Sequence, residues 1–234
     1  MALLFDGVND YAQSPTVDLS SVDKMSMAFW LWWDSFSSTV LIAFEHGPNP
    51  NLETAFFVYP NGGSGIATKF ELGATSGAAT YCIAEFTRPS AAAWHHYAFT
   101  VDRTLASAEV NNVWVDGVAQ TLTYRLDNGL AGNFGNLAVN MMARDGTAFF
   151  AAGRLAEIYI WPGIIMNINE AAALARGASG FGLRIDNRPY YWPLWGDSTI
   201  WTQDLSGRDK DLSTVSGAVR ANHAPVVPFS RRWW

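Results

Sequence analysis

The strongest constraint on the fold is an alternation of side chains with a period of two residues. Between Lys24 and Trp33, one face of an extended chain would carry only large apolar residues: Met25, Met27, Phe29, Leu31 and Trp33. The other face would carry Ser26, Ala28, Trp30 and Trp32. Successive side chains of a β-strand point to opposite faces of its sheet, so this pattern predicts a strand with both faces partly covered.

Similar short apolar runs follow along the chain and are separated by turn-forming residues. Further strands are predicted at residues 39–44, 55–59, 66–72, 80–85, 94–101, 110–115, 119–124, 137–142 and 154–161. Asp116-Gly117 between two of these runs favours a tight hairpin, because both residue types accept positive φ angles. Many short strands with turn residues between them are typical of a sandwich or barrel, and not of helical or βαβ folds.

A single segment has the pattern of a helix. Asn167 can cap its first turn, residues 168–176 are rich in helix formers, and Gly177 is of the type that ends helices. Residues 190–195 then return to strand character. The sequence therefore predicts an all-β fold: a two-sheet antiparallel β-sandwich of about a dozen strands with one short helix, whose first and last strands are adjacent.

Composition limits the classes of partner. The 234 residues suit one β-sandwich, and no linker divides them. A net charge of -6 argues against a nucleic acid partner, which needs a basic surface. No apolar stretch reaches the length of a membrane span, and residues 1–7 lack the features of a Sec signal peptide. Cys82 has no second cysteine to pair with and is predicted to be a small core residue.

Four motifs occur in an order that resembles a known fold family. They are LFDGVNDY at residues 4–11, WHHYAFTVD at 94–102, WVDG at 114–117 and GRLAEIYIW at 153–161. Together they resemble the laminin-G-like, pentraxin-like branch of the concanavalin A-like lectin/glucanase superfamily, of the kind found in bacteriophage structural proteins. The resemblance implies a jelly-roll domain over residues 1–224 and a C-terminal tail over residues 225–234. The aromatic residues of the motifs are interpreted as inter-sheet core: Phe5, Tyr11, Trp94, Phe99, Trp114 and Trp161.

The acidic residues do not have the spacing of a glycanase. Glycanases of this superfamily resemble one another in a strand with alternating acids, Glu-x-Asp-x-x-Glu or close to it. Alternation puts two carboxylates on one face, where they act as nucleophile and general acid. No such run occurs in this chain: Glu45 and Glu53 lie on either side of a proline-containing loop, and apolar residues flank Glu157. The sequence predicts no enzymatic activity and no catalytic residue.

Calcium is the cofactor that the resemblance brings into question, because many relatives hold it at the rim of the sandwich. Asp6, Asn9 and Asp10 near the first turn, and Asp145 in a later loop, have the oxygen ligands that calcium prefers. An acid that the family often has in the fourth motif is replaced by Ala156. The prediction is therefore no cofactor and no metal-binding residue, with calcium left as the open alternative.

Sugar binding needs an exposed aromatic platform beside amide or acid groups. Five tryptophans are candidates for it: Trp30, Trp32, Trp192, Trp195 and Trp201. The loop at residues 47–53 is a candidate polar rim. His95 and His96 would point to opposite faces of a strand, so they cannot chelate one metal together, and both are predicted to be hydrogen-bonded structural residues.

Two functions fit these observations. The first is a non-enzymatic structural protein of a bacteriophage virion, either a capsid decoration protein or a minor head or tail protein. It would be made in the host cytoplasm, form a homo-oligomer and contact a capsid or other virion protein. The second is a carbohydrate-binding, lectin-like module. The lack of a secretion signal and of a catalytic domain favours the first function. No nucleic acid or membrane partner is predicted.

The C-terminal tail is the predicted partner-binding site. Two cations and three aromatic rings occur at the end of an acidic chain: Phe229, Arg231, Arg232, Trp233 and Trp234. Terminal residues are often frayed, but exposed tryptophans form an apolar patch, and Trp and Arg are enriched in interface hot spots. We therefore expect these five residues to dock on a neighbouring subunit or on a capsid protein.

Overall fold

The computed structural model describes residues 2–34, 41–49, 53–61, 68–77, 80–183, 187–195 and 201–225. These residues form two antiparallel sheets of eight strands each, numbered here in chain order. Sixteen described strands replace the dozen predicted, and most of the additional strands lie near the two ends of the chain. The predicted two-sheet antiparallel sandwich is confirmed.

Sheet A contains most of the residues of the four motifs. Its strands are, in spatial order, β10 (Val118–Ala119), β9 (Val110–Val115), β8 (Trp94–Asp102), β3 (Lys24–Trp33), β13 (Ala152–Pro162), β1 (Ala2–Asp6) and β16 (Val219–Ala221). The eighth, β14 (Tyr190–Trp192), pairs with the second half of β13. Because β1 pairs with β16, the predicted adjacency of the first and last strands is confirmed. The Asp116-Gly117 turn joins β9 to β10 with φ angles of 52° and 78°, as the hairpin prediction required.

Sheet B lies against one face of sheet A. In spatial order its strands are β11 (Thr123–Asp127), β7 (Tyr81–Thr87), β6 (Lys69–Thr75), β5 (Phe56–Tyr59), β4 (Phe44–His46), β12 (Asn136–Met141), β2 (Tyr11–Asp18) and β15 (Thr214–Ser216). The faces of the two sheets that meet supply the main core, and the opposite faces are called outer faces below.

The alternation in β3 separates core residues from outer-face residues, as predicted. Its large apolar set, which includes Phe29 and Trp33, lies in the main core. Phe5 and Phe99 join that core, as predicted. The other four motif aromatics do not, because alternation places them on an outer face: Trp114 and Trp161 are buried there, and Tyr11 and Trp94 are partly exposed.

Helix α1 (Ile168–Ala175) covers part of the outer face of sheet A. Asn167 caps it, and Glu170 completes a capping box by accepting a hydrogen bond from the backbone N–H of Asn167, so the predicted helix and cap are confirmed. Ala171 and Leu174 pack against the aromatic side chains of this face. A second, four-residue helix, α2 (Gly180–Leu183), was not predicted. No described helix has the length and hydropathy needed to cross a bilayer.

The segment after β16 covers a second part of the same face. Ala224 is buried against Trp30, Ala2 and Ala156. Nε2 of His223 lies 3.3 Å from Oε1 of Glu157, which sits at a β-bulge with a φ of 53°. The outer face of sheet A is therefore covered by α1 at one end and by residues 222–225 near its middle.

Candidate functional site

A row of partly exposed side chains crosses the other end of the outer face of sheet A. Cross-strand pairing aligns Trp94, Trp32, Arg154, Leu4 and Val219 in this order on β8, β3, β13, β1 and β16. All five are at least partly exposed, and Val219 is 52% exposed. We call these five residues the tryptophan row. Exposed apolar surface of this kind is typical of a binding site.

Trp32 is held in place from several sides. Its Nε1 donates a hydrogen bond of 2.8 Å to Oδ1 of Asp34. The guanidinium carbon of Arg154 lies 4.6 Å from its ring centre, a cation–π contact. The ring of Trp94 meets it edge-on, with 6.1 Å between ring centres and an interplanar angle of 69°. Asp34 and Arg154 are also close to each other, since Oδ1 and Nη2 are 3.9 Å apart.

Trp30 on β3 and His96 on β8 form a neighbouring cross-strand pair, two residues from the tryptophan row on each strand, and both are buried. Trp30 is 5% exposed and meets the ring of His96 edge-on, at 5.3 Å between ring centres. Burial lowers the pKa of His96 to about 3, so its ring is neutral. Within the described residues, Nδ1 of His96 has no hydrogen-bond partner, and the prediction of a hydrogen-bonded ring stays a prediction for this histidine. The prediction holds for His95, whose Nδ1 lies 2.7 Å from Oδ2 of Asp116.

The five tryptophans proposed as a sugar platform have different environments. Trp30 and Trp192 are buried, which excludes them as a platform. Trp32, Trp195 and Trp201 are partly exposed, and Trp32 is the one that lies in the row. Trp94 was missed because it was assigned to the inter-sheet core. Trp94 is an odd number of residues away from Tyr97 and Phe99, which face the core. Alternation along the strand therefore places Trp94 on the outer face.

Sheet B brings together a pair of carboxyl groups that no sequence pattern indicated. Glu71 on β6 and Glu85 on β7 are directly opposite in the register of the two strands. Arg125 reaches both: its Nη2 lies 3.3 Å from Oε2 of Glu71, and its Nε lies 3.4 Å from Oε1 of Glu85. Burial raises the pKa of Glu85, and the negative charge of the nearby Glu71 raises it further.

A third glutamate on the outer face of sheet B is committed to a buried ion pair. Arg144 donates to both carboxylate oxygens of Glu45, at 3.0 Å from Nε to Oε2 and 2.6 Å from Nη2 to Oε1. The hydroxyl of Tyr59 donates to Oε1 of the same group. Burial raises the pKa of Glu45, and the bonds from Arg144 and Tyr59 act against that shift.

Each of these three glutamates of sheet B lies beside an arginine side chain. Retaining enzymes need about 5 Å between two carboxyl groups, and inverting enzymes more than about 6 Å, so that sugar or water fits between them. Glu71 and Glu85 share Arg125, whose Nη2 lies 3.3 Å from Oε2 of Glu71 and whose Nε lies 3.4 Å from Oε1 of Glu85. Glu45 has its two oxygens occupied by Arg144. Glu45, Glu71 and Glu85 therefore each have an arginine as a structural partner.

The residues considered for calcium are used in local turns. Oδ1 of Asp6 accepts the backbone N–H of Val8 at 2.8 Å, and Oδ2 of Asp10 accepts that of Asp6 at 2.9 Å. Oδ1 of Asp145 accepts a bond of 3.3 Å from Gln13. Among the described residues, none of these aspartates belongs to a group of three acidic, histidine or cysteine ligand atoms within 4.8 Å of one another. The absence of calcium stays a prediction.

The predicted tail site lies outside the described residues. This applies to Phe229, Arg231, Arg232, Trp233 and Trp234, and to residues 50–52 of the predicted polar rim. The partner-binding role of the tail therefore stays a prediction.

Comparison with known proteins gives a family and a set of structural neighbours. The family profile described as "Concanavalin A-like lectin/glucanases superfamily" matches residues 6–165, which is more than half of the chain. No curated protein sequence matches the chain.

Three solved structures illustrate the likeness in fold. One is a "putative carbohydrate binding protein" from Bacteroides ovatus, with 16% identity and a TM-score of 0.67, matched over 97% of this chain and 61% of that one. The second is a heptameric SAP-like pentraxin from Limulus polyphemus, with 11% identity, a TM-score of 0.56 and coverage of 76% and 83%. The third is domain 4 of an extracellular GH43 arabinanase from Geobacillus stearothermophilus in complex with arabinotriose, with 17% identity, a TM-score of 0.52 and coverage of 74% and 76%. At these identities the likeness extends to the fold alone.

Proposed function

This chain belongs to the concanavalin A-like lectin/glucanases superfamily, and we propose that it is a carbohydrate-binding module without catalytic activity that binds glycans on the tryptophan row. The observation that carries this proposal is the pair of partly exposed indoles, Trp32 and Trp94, beside a carboxylate and a guanidinium. An aromatic surface with a few fixed polar groups is the usual composition of a small-molecule site.

The chemistry of the row suits a sugar. The C–H face of a pyranose ring is apolar and packs on an indole, while the hydroxyl groups at its edge form hydrogen bonds. Asp34, whose side chain is 44% exposed, is available to accept such bonds, and Arg154 is available to donate them. Because Trp32 is already held by both residues, little side-chain entropy is lost on binding.

The absence of catalysis in this proposal rests on the acidic residues of sheet B. Glu71 and Glu85 both lie beside Arg125, and Glu45 accepts hydrogen bonds from Arg144. Using one of these carboxyl groups for general acid catalysis would break its ion pair with Arg125 or Arg144. Binding without turnover is therefore the simpler account of this domain.

A glycan array tests the proposal. The full chain would be applied to a broad array, and positive glycans would be compared with arabinotriose, the ligand in one structural neighbour. We expect Trp32→Ala and Trp94→Ala to lose the array signal, because each removes half of the platform. Trp201→Ala is the matched control, since Trp201 is partly exposed but lies outside the row. Signals that persist in both row variants would contradict the proposal.

A structural role in a bacteriophage particle is the second candidate function. It rests on the sequence and on one feature of sheet A, whose two edge strands expose apolar side chains: Val118 on β10 is 65% exposed and Val219 on β16 is 52% exposed. Exposed edge strands of this kind pair readily with another chain.

Attachment to phage particles tests this role. Deletion of residues 230–234 should weaken attachment and oligomerisation while leaving the melting temperature nearly unchanged. Full attachment of the shortened chain would exclude the tail as the attachment site.

A further inference from the structure

Three side chains with metal-binding atoms meet at one end of the sandwich, away from the tryptophan row. The sulfur of Cys82, a carboxylate oxygen of Glu109 and a carboxylate oxygen of Asp127 all lie within 4.8 Å of one another. Cys82 and Asp127 are directly opposite on β7 and β11 of sheet B, whereas Glu109 immediately precedes β9 of sheet A. The cluster therefore connects the two sheets.

Backbone N–H groups orient the three side chains. Leu130 N–H donates to Oε1 of Glu109 at 2.6 Å, and Ala108 N–H donates to Oδ1 of Asp127 at 2.7 Å. Val110 N–H lies 3.5 Å from the sulfur of Cys82. Hydrogen bonds of this kind fix the positions of ligands in metal sites.

One atom of the cluster is buried without an adequate partner. Glu109 is fully buried, and its Oε2 receives no hydrogen bond from an N–H or O–H group of the described residues. The nearby Arg103 donates instead to the carbonyl oxygens of Thr75 and Ala131. The thiol of Cys82 is the donor left for Oε2, and an S–H group is a weak donor. A buried carboxylate oxygen in this situation is costly.

We infer that Cys82, Glu109 and Asp127 form a binding site for a thiophilic divalent cation, Zn²⁺ or Cd²⁺. One sulfur and two carboxylate oxygens are ligands that zinc accepts, and three protein ligands leave a fourth tetrahedral position for water. Asp127 is exposed, so it provides the path from solvent. Calcium and magnesium prefer oxygen ligands alone, which makes them poor occupants of a site with a thiolate. The site departs from the sequence prediction of no metal-binding residue.

Binding exchanges a proton for the cation. Burial raises the pKa of the Cys82 thiol to about 12, so the sulfur carries its proton while the site is empty. The cation takes the place of that proton, which is released to solvent, and the sulfur binds as a thiolate. The bound cation would also satisfy Oε2 of Glu109 and hold the two sheets together at this end. Zn²⁺ should therefore raise the melting temperature, because it binds the folded chain.

The test uses the full chain after treatment with a chelator. Zn²⁺ would be titrated by calorimetry and by thermal denaturation, and Cd²⁺ by ultraviolet absorption, which detects sulfur-to-cadmium charge transfer. We expect Asp127→Asn to weaken Zn²⁺ affinity by at least about tenfold, because one ligand is lost from an exposed position where folding is little affected. Asp209→Asn is the matched control: Asp209 is also exposed, and asparagine accepts its positive φ of 56°.

Two results would overturn the inference. One is the absence of both a thermal shift and a charge-transfer band with either cation. The other is unchanged affinity in Asp127→Asn together with an unchanged cadmium band in Cys82→Ala. The cadmium band of the unaltered chain remains informative if Cys82→Ala fails to fold. Trp32→Ala should bind Zn²⁺ normally, so failure of the metal site and failure of the glycan site are distinguishable.

Discussion

The guanidinium carbon of Arg154 lies 4.6 Å from the ring centre of Trp32 on the neighbouring strand. The same guanidinium approaches Asp34, which accepts the indole N–H of Trp32. One arginine thus contacts both the ring of Trp32 and the carboxylate that accepts the indole N–H of Trp32. The arrangement explains how a large apolar side chain stays in one position on a partly exposed surface.

Replacing Arg154 should weaken glycan binding without unfolding the domain. In Arg154→Ala the ring of Trp32 loses its cation–π contact and gains freedom, so binding costs more entropy. We expect affinity to fall by about three- to tenfold, with the melting temperature changed by only a few degrees. Titration calorimetry measures the first and thermal denaturation the second.

A matched pair elsewhere on the surface provides the control. The guanidinium carbon of Arg220 lies 5.3 Å from the ring centre of Trp201, outside the tryptophan row. Arg220→Ala removes an equivalent contact and should leave glycan affinity unchanged. An equal loss of affinity in both variants would mean that Arg154 acts through general stability or charge.

The sequence was sufficient to predict the sandwich, the helix and its cap, because each depends on local chemistry. Period-two alternation defines strands such as β3, and the Asn167 side chain can cap only the helix that follows it. The pairing of Glu71 with Glu85 was not predictable in this way. It depends on the register between β6 and β7, which no local pattern specifies.

The tryptophan row was only partly predictable for a related reason. Trp32 was among the candidates, but its neighbours Arg154 and Trp94 come from strands far away in sequence. Alternation tells which side chains share a face, and it does not tell which of the two faces meets the other sheet. Trp94 was assigned to the core together with Phe99, although the two are five residues apart and so point to opposite faces; the structure places Trp94 on the outer face.

The carboxyl pair on sheet B should make stability depend on pH. Burial and Glu71 raise the pKa of Glu85 above its ordinary value of 4.5. Between that value and the raised pKa, the folded chain holds a proton that the unfolded chain releases, so stability falls as pH rises through this window. Glu85→Gln keeps the group neutral, and its amide can donate to Glu71. We expect a higher melting temperature than the unaltered chain at about pH 7.

The difference in melting temperature between Glu85→Gln and the unaltered chain separates the effect of Glu85 from that of the other titrating groups. The gain in melting temperature should shrink as the pH is lowered through 4.5, because Glu85 is protonated in both states well below that pH. Glu53→Gln, at a partly exposed position, serves as the control and should show no such trend. A Glu85→Gln variant that is less stable than the unaltered chain at neutral pH would contradict the raised pKa of Glu85.

The ion pair between Glu45 and Arg144 allows a test by paired substitution. Arg144→Ala leaves the fully buried Glu45 carboxylate with the Tyr59 hydroxyl as its hydrogen-bond donor among the described residues. We expect a loss of about 3 kcal/mol in the free energy of unfolding, measured by urea denaturation. Adding Glu45→Gln should recover part of this loss, because the buried charge is then removed. A double variant less stable than Arg144→Ala would argue against an uncompensated charge.

The helix cap provides a test of stability that is independent of the glycan site. Asn167→Ala removes the acceptor for the backbone N–H groups of Asn169 and Glu170. The free energy of unfolding should fall by about 1 kcal/mol, with glycan affinity unchanged. Asn169→Ala, at an exposed position in the first turn, is the control and should cost less. Equal losses of unfolding free energy in the two variants would mean that the Asn167 side chain stabilises the helix no more than an exposed first-turn residue does.

The most direct test of the glycan site is the affinity of Trp32→Ala for a glycan that the unaltered chain binds. Titration calorimetry would compare this variant with Trp201→Ala, each shown to be folded by its thermal denaturation. We predict that Trp32→Ala loses at least about tenfold in affinity, as expected for a central aromatic contact, while Trp201→Ala binds as the unaltered chain does. Equal affinity in Trp32→Ala and the unaltered chain would show that glycans bind elsewhere, and the tryptophan row would not be the binding site.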